Sequence, residues 1–431
     1  MKVVILHYHL NPGGVTRIIE SQVNSIQSVN ESMPIKVLCG NNRGSAHIPG
    51  VSTQVNSMLN YWNANSQDED FEKNVAAIIA IIQENLSNDT ILHCHNPNLG
   101  KNPALTVAIY RLALQGYAVI NHCHDFPEDR PANLEILGRF LTQSTGLTLP
   151  DILYPRLPRY HYITLNSCDL QRILKTGVPA SQIHLLHNPV SFHKQGIETE
   201  DQELRRKICN ALGLDASMKI CTYPVRAIER KNLGEFILLA VLFSKEALFT
   251  VTQPPLNPLE LPRYNRWKSF CLENNIQVKF ESGRTVNHEE LINISDFCIT
   301  TSIREGFGMV YLEPWLAGTP VIGRDLPCVT DDLIRHGLEF SRLYPGIFVE
   351  NEGQMTDFKD LTFENQERII MEIIRHESSG SRLLQGNPFL LNFLDDFPHD
   401  MILRNQRIIK DDFSPEKYGK RLFAIYREIS Q

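Results

Sequence analysis

Short apolar runs that alternate with helical patterns are the feature of this chain that most limits its possible folds. Parallel strands need long crossover connections, which are usually helices, so this alternation predicts a parallel sheet with helices on both faces. In the first half the predicted strands are residues 3–6, 35–39, 90–94, 118–122 and 162–165, and the predicted helices are 15–29, 71–86 and 104–114. In the second half the predicted strands are 220–223, 248–252, 277–280, 297–300 and 321–322, and the predicted helices are 233–243, 263–274 and 289–294.

The length of the chain and one polar segment predict two domains. A chain of 431 residues is too long for one ordinary core. The acidic segment 194–203 separates the two sets of strands, so we expect a first domain over residues 1–195 and a second over 204–413. In doubly wound α/β domains, ligands collect at the carboxyl ends of the strands, and a cleft between the two domains is the expected site. Further helix candidates are residues 361–374, 388–394 and 415–428.

Composition and charge narrow the class of protein. Hydrophobic residues make up 42% of the chain and charged residues 21%, as in ordinary globular proteins. A formal net charge of −7 gives no support for a nucleic-acid partner or for strong attraction to anionic lipid. No apolar run approaches the roughly 18 residues of a membrane span, and the chain enters a strand at once without a signal peptide, so we expect a cytoplasmic protein. The nine scattered cysteines form no Cys-x-x-Cys pair and are expected to be reduced core residues.

A glycine-containing turn between a predicted strand and a predicted helix carries two carboxylates. Residues 296–301 are predicted to form a short, apolar, buried strand. Gly306 and Gly308 let the backbone turn sharply after that strand. A helix beginning near Met309 would offer unpaired N–H groups and a positive dipole end to a phosphate. Glu305 and Glu313 would bracket that anion and accept hydrogen bonds from vicinal hydroxyls. This layout suits a sugar nucleotide, and it equally suits an ordinary capped turn before a solvated helix.

Three strand ends in the first half carry the pattern His-x-His. Residues two apart in a strand point to the same side, so the pairs are expected to line one surface above the sheet. A metal site, a rim of partly buried histidines, and hydrogen-bond partners for an acceptor or a donor sugar are all open, and we favour the last. The pairs are His7 and His9, His93 and His95, and His122 and His124.

Several motifs together resemble a known family. Seven residues separate Glu305 from Glu313, and the run Ala317-Gly318-Thr319-Pro320-Val321-Ile322 follows. This combination resembles the retaining glycosyltransferases of the GT-B fold, family four, also known as glycosyl transferases group 1. The resemblance extends from residue 1 to about residue 332 and returns at the last helix. Other family positions have counterparts at Gly13-Gly14, at Asn188, and at Arg226 with Lys231.

The resemblance implies a fold and a donor site. The fold would be two doubly wound, Rossmann-like domains that face a cleft, with the last helix, 414–431, packed back on the first domain. The donor would be a nucleoside-diphosphate sugar, held without a metal or other cofactor. The implied donor residues are Arg226 and Lys231 for the diphosphate, Gly13 and Gly14 beside it, Glu313 for the ribose, Glu305 with Gly306, Phe307, Gly308, Met309 and Val310 for the sugar, and His124 near the bond that breaks.

The expected reaction is transfer of a hexose to a hydroxyl acceptor with retention. Since no carboxylate stands out as a covalent nucleophile, we expect same-face attack in which the leaving phosphate takes the acceptor proton. The acceptor is expected to contact His9, His95, Asn96 and Asp125. It could be anionic, given the histidines and the basic residues Arg156 and Arg159. The nucleotide base, the sugar and the acceptor remain open, and peripheral membrane contact is compatible with the sequence.

The sequence also departs from the family pattern and leaves two rival functions. Pro314 follows Glu313 where the family usually has alanine, so the helix there would begin later or bend. Pro189 replaces the glycine that commonly follows Asn188. One rival is a GT-B-shaped epimerase that acts on the sugar nucleotide itself and needs no acceptor. The other is a catalytically silent subunit that binds a sugar nucleotide.

Overall fold

The chain divides into two compact units. The computed structural model describes residues 1–42, 48–62, 71–144, 147–192 and 198–430. The first unit comprises Met1–Pro189 with Phe413–Gln431, and the second comprises Val190–Asp412. In the predicted boundary segment, residues 194–197 lie outside the described residues, and residues 198–203 are helical.

The first unit contains a seven-stranded sheet in which every strand pair is parallel. Its strand order is β3-β2-β1-β4-β5-β6-β7. The strands are β1 (Lys2–His7), β2 (Ile35–Cys39), β3 (Ser52–Val55), β4 (Thr90–His95), β5 (Ala118–Cys123), β6 (Tyr160–Thr164) and β7 (Ile183–Leu185). The helices are α1 (Gly14–Val29), α2 (Phe71–Gln83), α3 (Pro103–Leu114), α4 (Pro131–Ser144), α5 (Leu149–Leu153), α6 (Ser167–Leu174) and α16 (Pro415–Ser430).

Alternation along the central strand builds a core on each face of this sheet. Val4 and Leu6 of β1 belong to the hydrophobic cluster that also contains side chains of α2 and α3. Val3 and Ile5, which point the other way, belong to the cluster that contains side chains of α1 and α16. The C-terminal helix α16 thus belongs to the first unit, and the hydroxyl of Ser414 caps it ahead of Pro415.

The second unit is built in the same way around a six-stranded sheet in the order β10-β9-β8-β11-β12-β13. Its strands are β8 (Lys219–Arg226), β9 (Ala247–Gln253), β10 (Val278–Phe280), β11 (Phe297–Thr300), β12 (Val321–Arg324) and β13 (Leu343–Tyr344), with a separate hairpin of β14 (Phe348–Asn351) and β15 (Gln354–Asp357). Its helices are α7 (Glu198–Leu212), α8 (Leu233–Leu242), α9 (Leu261–Glu273), α10 (His288–Ile294), α11 (Glu313–Ala317), α12 (Pro327–Arg335), α13 (Phe363–Arg375), α14 (Glu377–Gly386) and α15 (His399–Asp412).

These two sheets confirm the predicted pair of parallel, Rossmann-like α/β domains. In each sheet the strand order reverses beside the first strand of the unit, between β1 and β4 and between β8 and β11. Such reversal points open a crevice at the carboxyl ends of the strands, where ligands of doubly wound folds bind. The helix predicted over residues 388–394 is wrong, because only the 3-10 turn Pro388–Leu390 forms there. Within the described residues, none of the helices is both long and apolar enough for a membrane span.

Candidate functional site

Glu305 lies at the centre of a charged cluster in the second unit. It follows β11, as does its partner Ser302, and its two cationic partners come from the turn after β8, so all of them lie at the reversal point of this sheet. Its carboxylate accepts hydrogen bonds from the ammonium of Lys231, from Arg230 Nη1 at 2.7 Å and from Ser302 Oγ at 2.6 Å. The side chains of Glu305 and Lys231 are only 7% and 10% exposed. The sequence therefore places a buried ion pair here, which the separate predictions for Glu305 and Lys231 did not foresee.

The ionisation of this cluster follows from its geometry. Burial alone would raise the pKa of the Glu305 carboxyl. The charges of Lys231 and Arg230 lower it by more than burial raises it, so the pKa lies at about 2. Burial lowers the pKa of the Lys231 ammonium, and Glu305 opposes that change. Glu305 is thus an anion at neutral pH that holds two cations in fixed positions.

Arg226, the last residue of β8, is the cation of this loop without a protein counter-charge. No carboxylate of the described chain pairs with its guanidinium, which is partly exposed. Partial burial lowers its pKa, yet an arginine stays charged at any physiological pH. Arg226 therefore offers unused donors at the carboxyl edge of the second sheet.

The turn after Glu305 differs from the prediction. Residues Met309–Tyr311 form a 3-10 turn, and α11 begins only at Glu313 because Pro314 fits the first turn of a helix and not its interior. The helix predicted from Met309 is wrong, and Glu313 stands at the start of a short helix instead of one turn inside it. Gly308 has φ of 77°, and a Cβ there would lie 2.7 Å from a methyl group of Val329, so only glycine fits.

Other side chains predicted around this turn are placed unevenly. Phe307 and Val310 are buried in the second unit, so their side chains are not accessible to a ligand. Glu313 is 19% exposed, and its Oε2 lies 3.4 Å from His288 Nε2. A glutamate oxygen therefore remains accessible where the ribose is expected to bind.

In the first unit, four of the six histidines of the His-x-His pattern form a stack. The rings of His93, His95, His122 and His124 lie with neighbouring centroids 4.4 to 5.2 Å apart. All of them are buried. These side chains are more deeply buried than the partly buried rim considered in the sequence analysis, because α1 and α16 cover the face of β4 and β5 on which they lie.

Burial keeps this stack uncharged. It lowers the pKa of His93 and of His124 to about 3, and those of His95 and His122 lie well below their usual value for the same reason, with neighbouring histidines adding to the shift. Each ring then has one donor and one acceptor nitrogen.

A hydrogen-bonded chain fixes which nitrogen of each ring carries the proton. The Oε1 atom of Gln22, on α1, lies 2.9 Å from His95 Nε2, which must donate to it. His95 Nδ1 therefore accepts from His124 Nε2 at 2.8 Å, and Nδ1 of His124 is left as an acceptor. The hydroxyl of Tyr426, on α16, lies 2.8 Å from both His93 Nδ1 and Gln22 Nε2. Gln22 and Tyr426 are partners that sequence analysis missed, because only the fold brings them to the histidines.

A metal ion could be held by three of these rings, since the candidate ligand atoms of His93, His95 and His122 lie within 4.8 Å of one another. Hydrogen bonds already engage both ring nitrogens of His93 and of His95. The Nε2 atom of His122 is the one for which the described residues provide no partner. The observed bonds therefore suit a neutral network better than a metal site, and metal independence remains a prediction.

The predicted acceptor residues separate into two groups. His95 is 1% exposed and Asn96 is 3% exposed, and Asn96 Oδ1 accepts from the backbone N–H of His124 at 2.6 Å and of Asp125 at 3.2 Å. Direct contact of these two side chains with an acceptor is not supported, and Asn96 instead holds the turn that carries His124. His9 and Asp125 are accessible.

The arginines considered for an anionic acceptor lie elsewhere. Arg159 donates to the carbonyl of Gly116 at 2.9 Å, and these residues precede β6 and β5 respectively. Arg156 also precedes β6. Both therefore lie toward the amino ends of the strands, opposite the edge that carries His9 and His124, and the idea that they assist the same site is wrong.

Comparisons with known proteins agree with this architecture. Residues 257–362, which contain β11 and the Glu305 turn, match the family described as glycosyl transferases group 1. The chain is 29% identical over 350 residues to mannosylglucosyl-3-phosphoglycerate synthase of Petrotoga mobilis, which covers 76% of this chain and 65% of that protein. It is 24% identical over 342 residues to mannosylglucosylglycerate synthase of the same organism, covering 71% and 77% respectively.

Solved structures share the fold at low sequence identity. Anabaena HepE, solved in complex with UDP-glucose, superposes with a TM-score of 0.61 at 15% identity and covers 99% of this chain and 100% of its own. Sucrose-phosphate synthase from Thermosynechococcus elongatus has a TM-score of 0.63 at 14% identity, with 99% and 98% covered. These likenesses show that the chain has the two-domain GT-B fold of known glycosyltransferases, and that its residues 257–362 are similar to the group 1 family.

Proposed function

We propose that this protein is a retaining glycosyltransferase that moves a hexose from a nucleoside-diphosphate sugar to a hydroxyl acceptor. The observation that carries the proposal is the cation cluster at the reversal point of the second sheet, where no carboxylate of the described residues pairs with Arg226 and where Glu305 holds Lys231 and Arg230. A departing nucleoside diphosphate gains negative charge as the glycosidic bond breaks. Cations that are fixed in advance stabilise that charge most in the transition state.

The two glutamates have separate parts in this proposal. A carboxylate offers about four lone-pair sites, and three donors already approach Glu305, so room remains for one hydroxyl of the donor sugar. Glu313, which is accessible at the start of α11, accepts from the ribose hydroxyls. The backbone of the Gly306–Gly308 turn completes the sugar contact.

His124 serves the reaction as a neutral hydrogen-bond acceptor in this scheme. Its pKa of about 3 excludes an imidazolium at neutral pH, and its Nδ1 is the nitrogen left without a proton by the Gln22 chain. It can accept from a sugar hydroxyl, but it cannot act as an acid. A nitrogen with so low a pKa is also a weak base, so in this scheme the leaving phosphate takes the acceptor proton, and attack from the same face gives retention.

The relatives narrow the candidate sugars. One is named as a synthase of mannosylglucosyl-3-phosphoglycerate and the other of mannosylglucosylglycerate, so mannose and glucose are the first hexoses to test. HepE was solved with UDP-glucose, and uracil is accordingly one base to include. The chain spans 65% of the length of the first relative, and its own donor and acceptor have to be determined directly.

We expect one nucleotide series to raise the thermal unfolding midpoint of the purified protein. UDP, GDP and ADP and their mannose and glucose conjugates are screened with divalent metal and with EDTA. A ligand that binds only the folded state stabilises it by about 2.7 kcal/mol at a concentration of about 100 times its dissociation constant. The shift should persist in EDTA and be smaller in Glu313→Ala. If no nucleotide shifts the midpoint, the transferase proposal is contradicted and a non-catalytic role is favoured. If the shift requires divalent metal, the metal-free scheme is contradicted.

Gly14→Ala is expected to lower transfer without lowering stability. A Cβ atom added at Gly14, the first residue of α1, meets no atom of the chain within 4 Å, so the space above it is free for a ligand. Alanine in a helix is more stable than glycine by about 0.5–1 kcal/mol. We expect an unchanged or higher unfolding midpoint and about tenfold slower transfer. The matched control is Gly386→Ala, a helical glycine in the second unit with equally open surroundings, which should leave the rate unchanged. Equal rates for both variants would show that the space at Gly14 is not used.

A further inference from the structure

We propose that a cavity of about 260 Å³ in the first unit is the acceptor subsite and that it takes an acceptor bearing a carboxylate or a phosphate. Two cations, Lys101 and Arg139, and two aromatic residues, Tyr61 and Trp62, line this cavity. The assignment rests on the proposed transferase function, since it names the class of acceptor for that reaction.

The position of the cavity is that of a ligand site. Lys101 follows β4, Arg139 lies on the helix that follows β5, and Tyr61 and Trp62 come after β3. All of these segments leave the carboxyl edge of the sheet, which is the edge where doubly wound domains bind their ligands. The cavity is also joined to the predicted acceptor residue His9, whose Nε2 lies 2.9 Å from the hydroxyl of Tyr61.

The charge of the cavity wall is positive and is not cancelled by the protein. Lys101 donates to the hydroxyl of Tyr61 at 3.0 Å, and its ammonium also lies 4.4 Å from the centroid of that ring. Arg139 lies 5.7 Å from the Phe140 ring. In the described part of the chain neither cation is paired with a carboxylate, so each keeps donors for an anionic group. Charge-assisted hydrogen bonds of this kind are about twice as strong as neutral ones.

The aromatic wall is held in place before any ligand arrives. The ring of Trp62 packs edge-on against Phe140 at 5.3 Å and against Phe71 at 6.3 Å. Its backbone N–H donates to the carbonyl of Lys101 at 2.8 Å, which ties the aromatic segment to the cation. Aromatic side chains with a polar group nearby suit ligands that are apolar on one side and polar on the other, as a sugar or a short polyol chain is. The wall therefore fits an acceptor with a carbon backbone beside its anionic group.

The test is titration calorimetry of the full-length protein at fixed ionic strength with four probes that share one carbon backbone. These are glycerol, which is neutral; D-glycerate, a carboxylate; glycerol 3-phosphate, a phosphate; and 3-phosphoglycerate, which has both groups. We expect binding of the anionic probes and none of glycerol. The comparison of D-glycerate with glycerol 3-phosphate identifies which anionic group the site prefers.

Variants locate the binding. Lys101→Gln should lower the affinity for the preferred anionic probe by about tenfold, which corresponds to about 1.4 kcal/mol of binding free energy. Lys175→Gln, at an exposed lysine of the same unit, and Arg226→Gln, in the second unit, should have no effect on it. Loss of binding in Arg226→Gln alone, or equal binding in wild type and Lys101→Gln, would place the anion elsewhere and overturn the proposal. Absence of anion binding by the wild-type protein would overturn it as well.

The outcome separates this inference from the proposed function. The nucleotide thermal shift is measured on the same preparations. If nucleotides bind and the anionic probes do not, the acceptor assignment is wrong and the transferase proposal stands. If nucleotides fail to bind the wild-type protein, the transferase proposal is wrong whatever the probes do.

Discussion

Replacing Lys231 with methionine is expected to lower the transfer rate by about two to three orders of magnitude and also to destabilise the second unit. Removal of one preorganised donor from developing negative charge usually costs about 10²–10³ in rate. Methionine keeps the length of the buried stem but leaves the Glu305 carboxylate with Arg230 as its remaining cation. The unfolding midpoint should therefore fall along with the rate, because a buried charge has lost a partner.

Arg226→Gln is the informative comparison for that variant. Arg226 has no carboxylate partner in the described chain, so its loss should lower the rate while leaving the unfolding midpoint unchanged. Lys245→Gln serves as the control, since Lys245 is 84% exposed in the same unit and should affect neither quantity. Steady-state transfer at saturating donor and acceptor, with thermal unfolding on the same samples, gives both readouts. Full activity in both Arg226 and Lys231 variants would rule out the diphosphate role of this loop.

Most of the strands could be predicted because their own residues form a short apolar run. Residues 35–39 and 297–300 were predicted with the limits that the structure shows, since both are short apolar runs between polar segments. The C-terminal helix was equally readable from Ser414 and Pro415. The edge strands β3 and β7 were missed, because their exposed positions carry no apolar pattern.

The contacts within the site were less predictable because they depend on tertiary structure. The pattern His-x-His marked the correct strands, but nothing in it shows that Gln22 and Tyr426 lie against His93, or that the stack is buried. Pro314 carried a local signal, and the helix does begin later because of it. By contrast, the competition of Arg230 for Glu305 follows from the shape of one 3-10 turn, over residues 229–231, which sequence periodicity does not reveal.

A buried ion cluster at helix α8 shows most clearly that contacts between residues far apart in the chain cannot be predicted from sequence patterns. Arg324, at the end of β12, is 2% exposed and binds Glu235 of α8, which is fully buried. It also donates to both oxygens of Asp357 at 2.8 Å, and the hydroxyl of Tyr344 donates to Glu235 at 2.8 Å. Helix α8 begins shortly after Lys231. The cluster therefore fixes to the sheet the helix that follows the loop of Arg230 and Lys231. These residues are far apart in the sequence, and nothing around Arg324 distinguishes it from any other residue at the end of a predicted strand.

Arg324→Met is therefore expected to reduce the free energy of unfolding by about 3–5 kcal/mol, the cost of breaking a buried ion pair on one side. It leaves the buried carboxylate of Glu235 beside the partly buried carboxylate of Asp357, and burial already raises the pKa of Glu235 while Arg324 opposes that shift. Urea unfolding monitored by circular dichroism measures the loss. The double variant Arg324→Met with Glu235→Leu should recover part of it, because removing both partners avoids the uncompensated charge.

The pH dependence of Arg324→Met tests the physical cause. Without Arg324 the folded-state pKa of Glu235 should rise further above its unfolded value. A carboxyl with a raised folded pKa contributes its full stability below the unfolded pKa and loses that contribution as pH rises through the folded pKa. The single variant should thus be closest to wild type in mild acid and fall further behind as the pH increases, whereas the double variant should show a smaller dependence. A destabilisation that is independent of pH would instead point to lost packing of the arginine side chain.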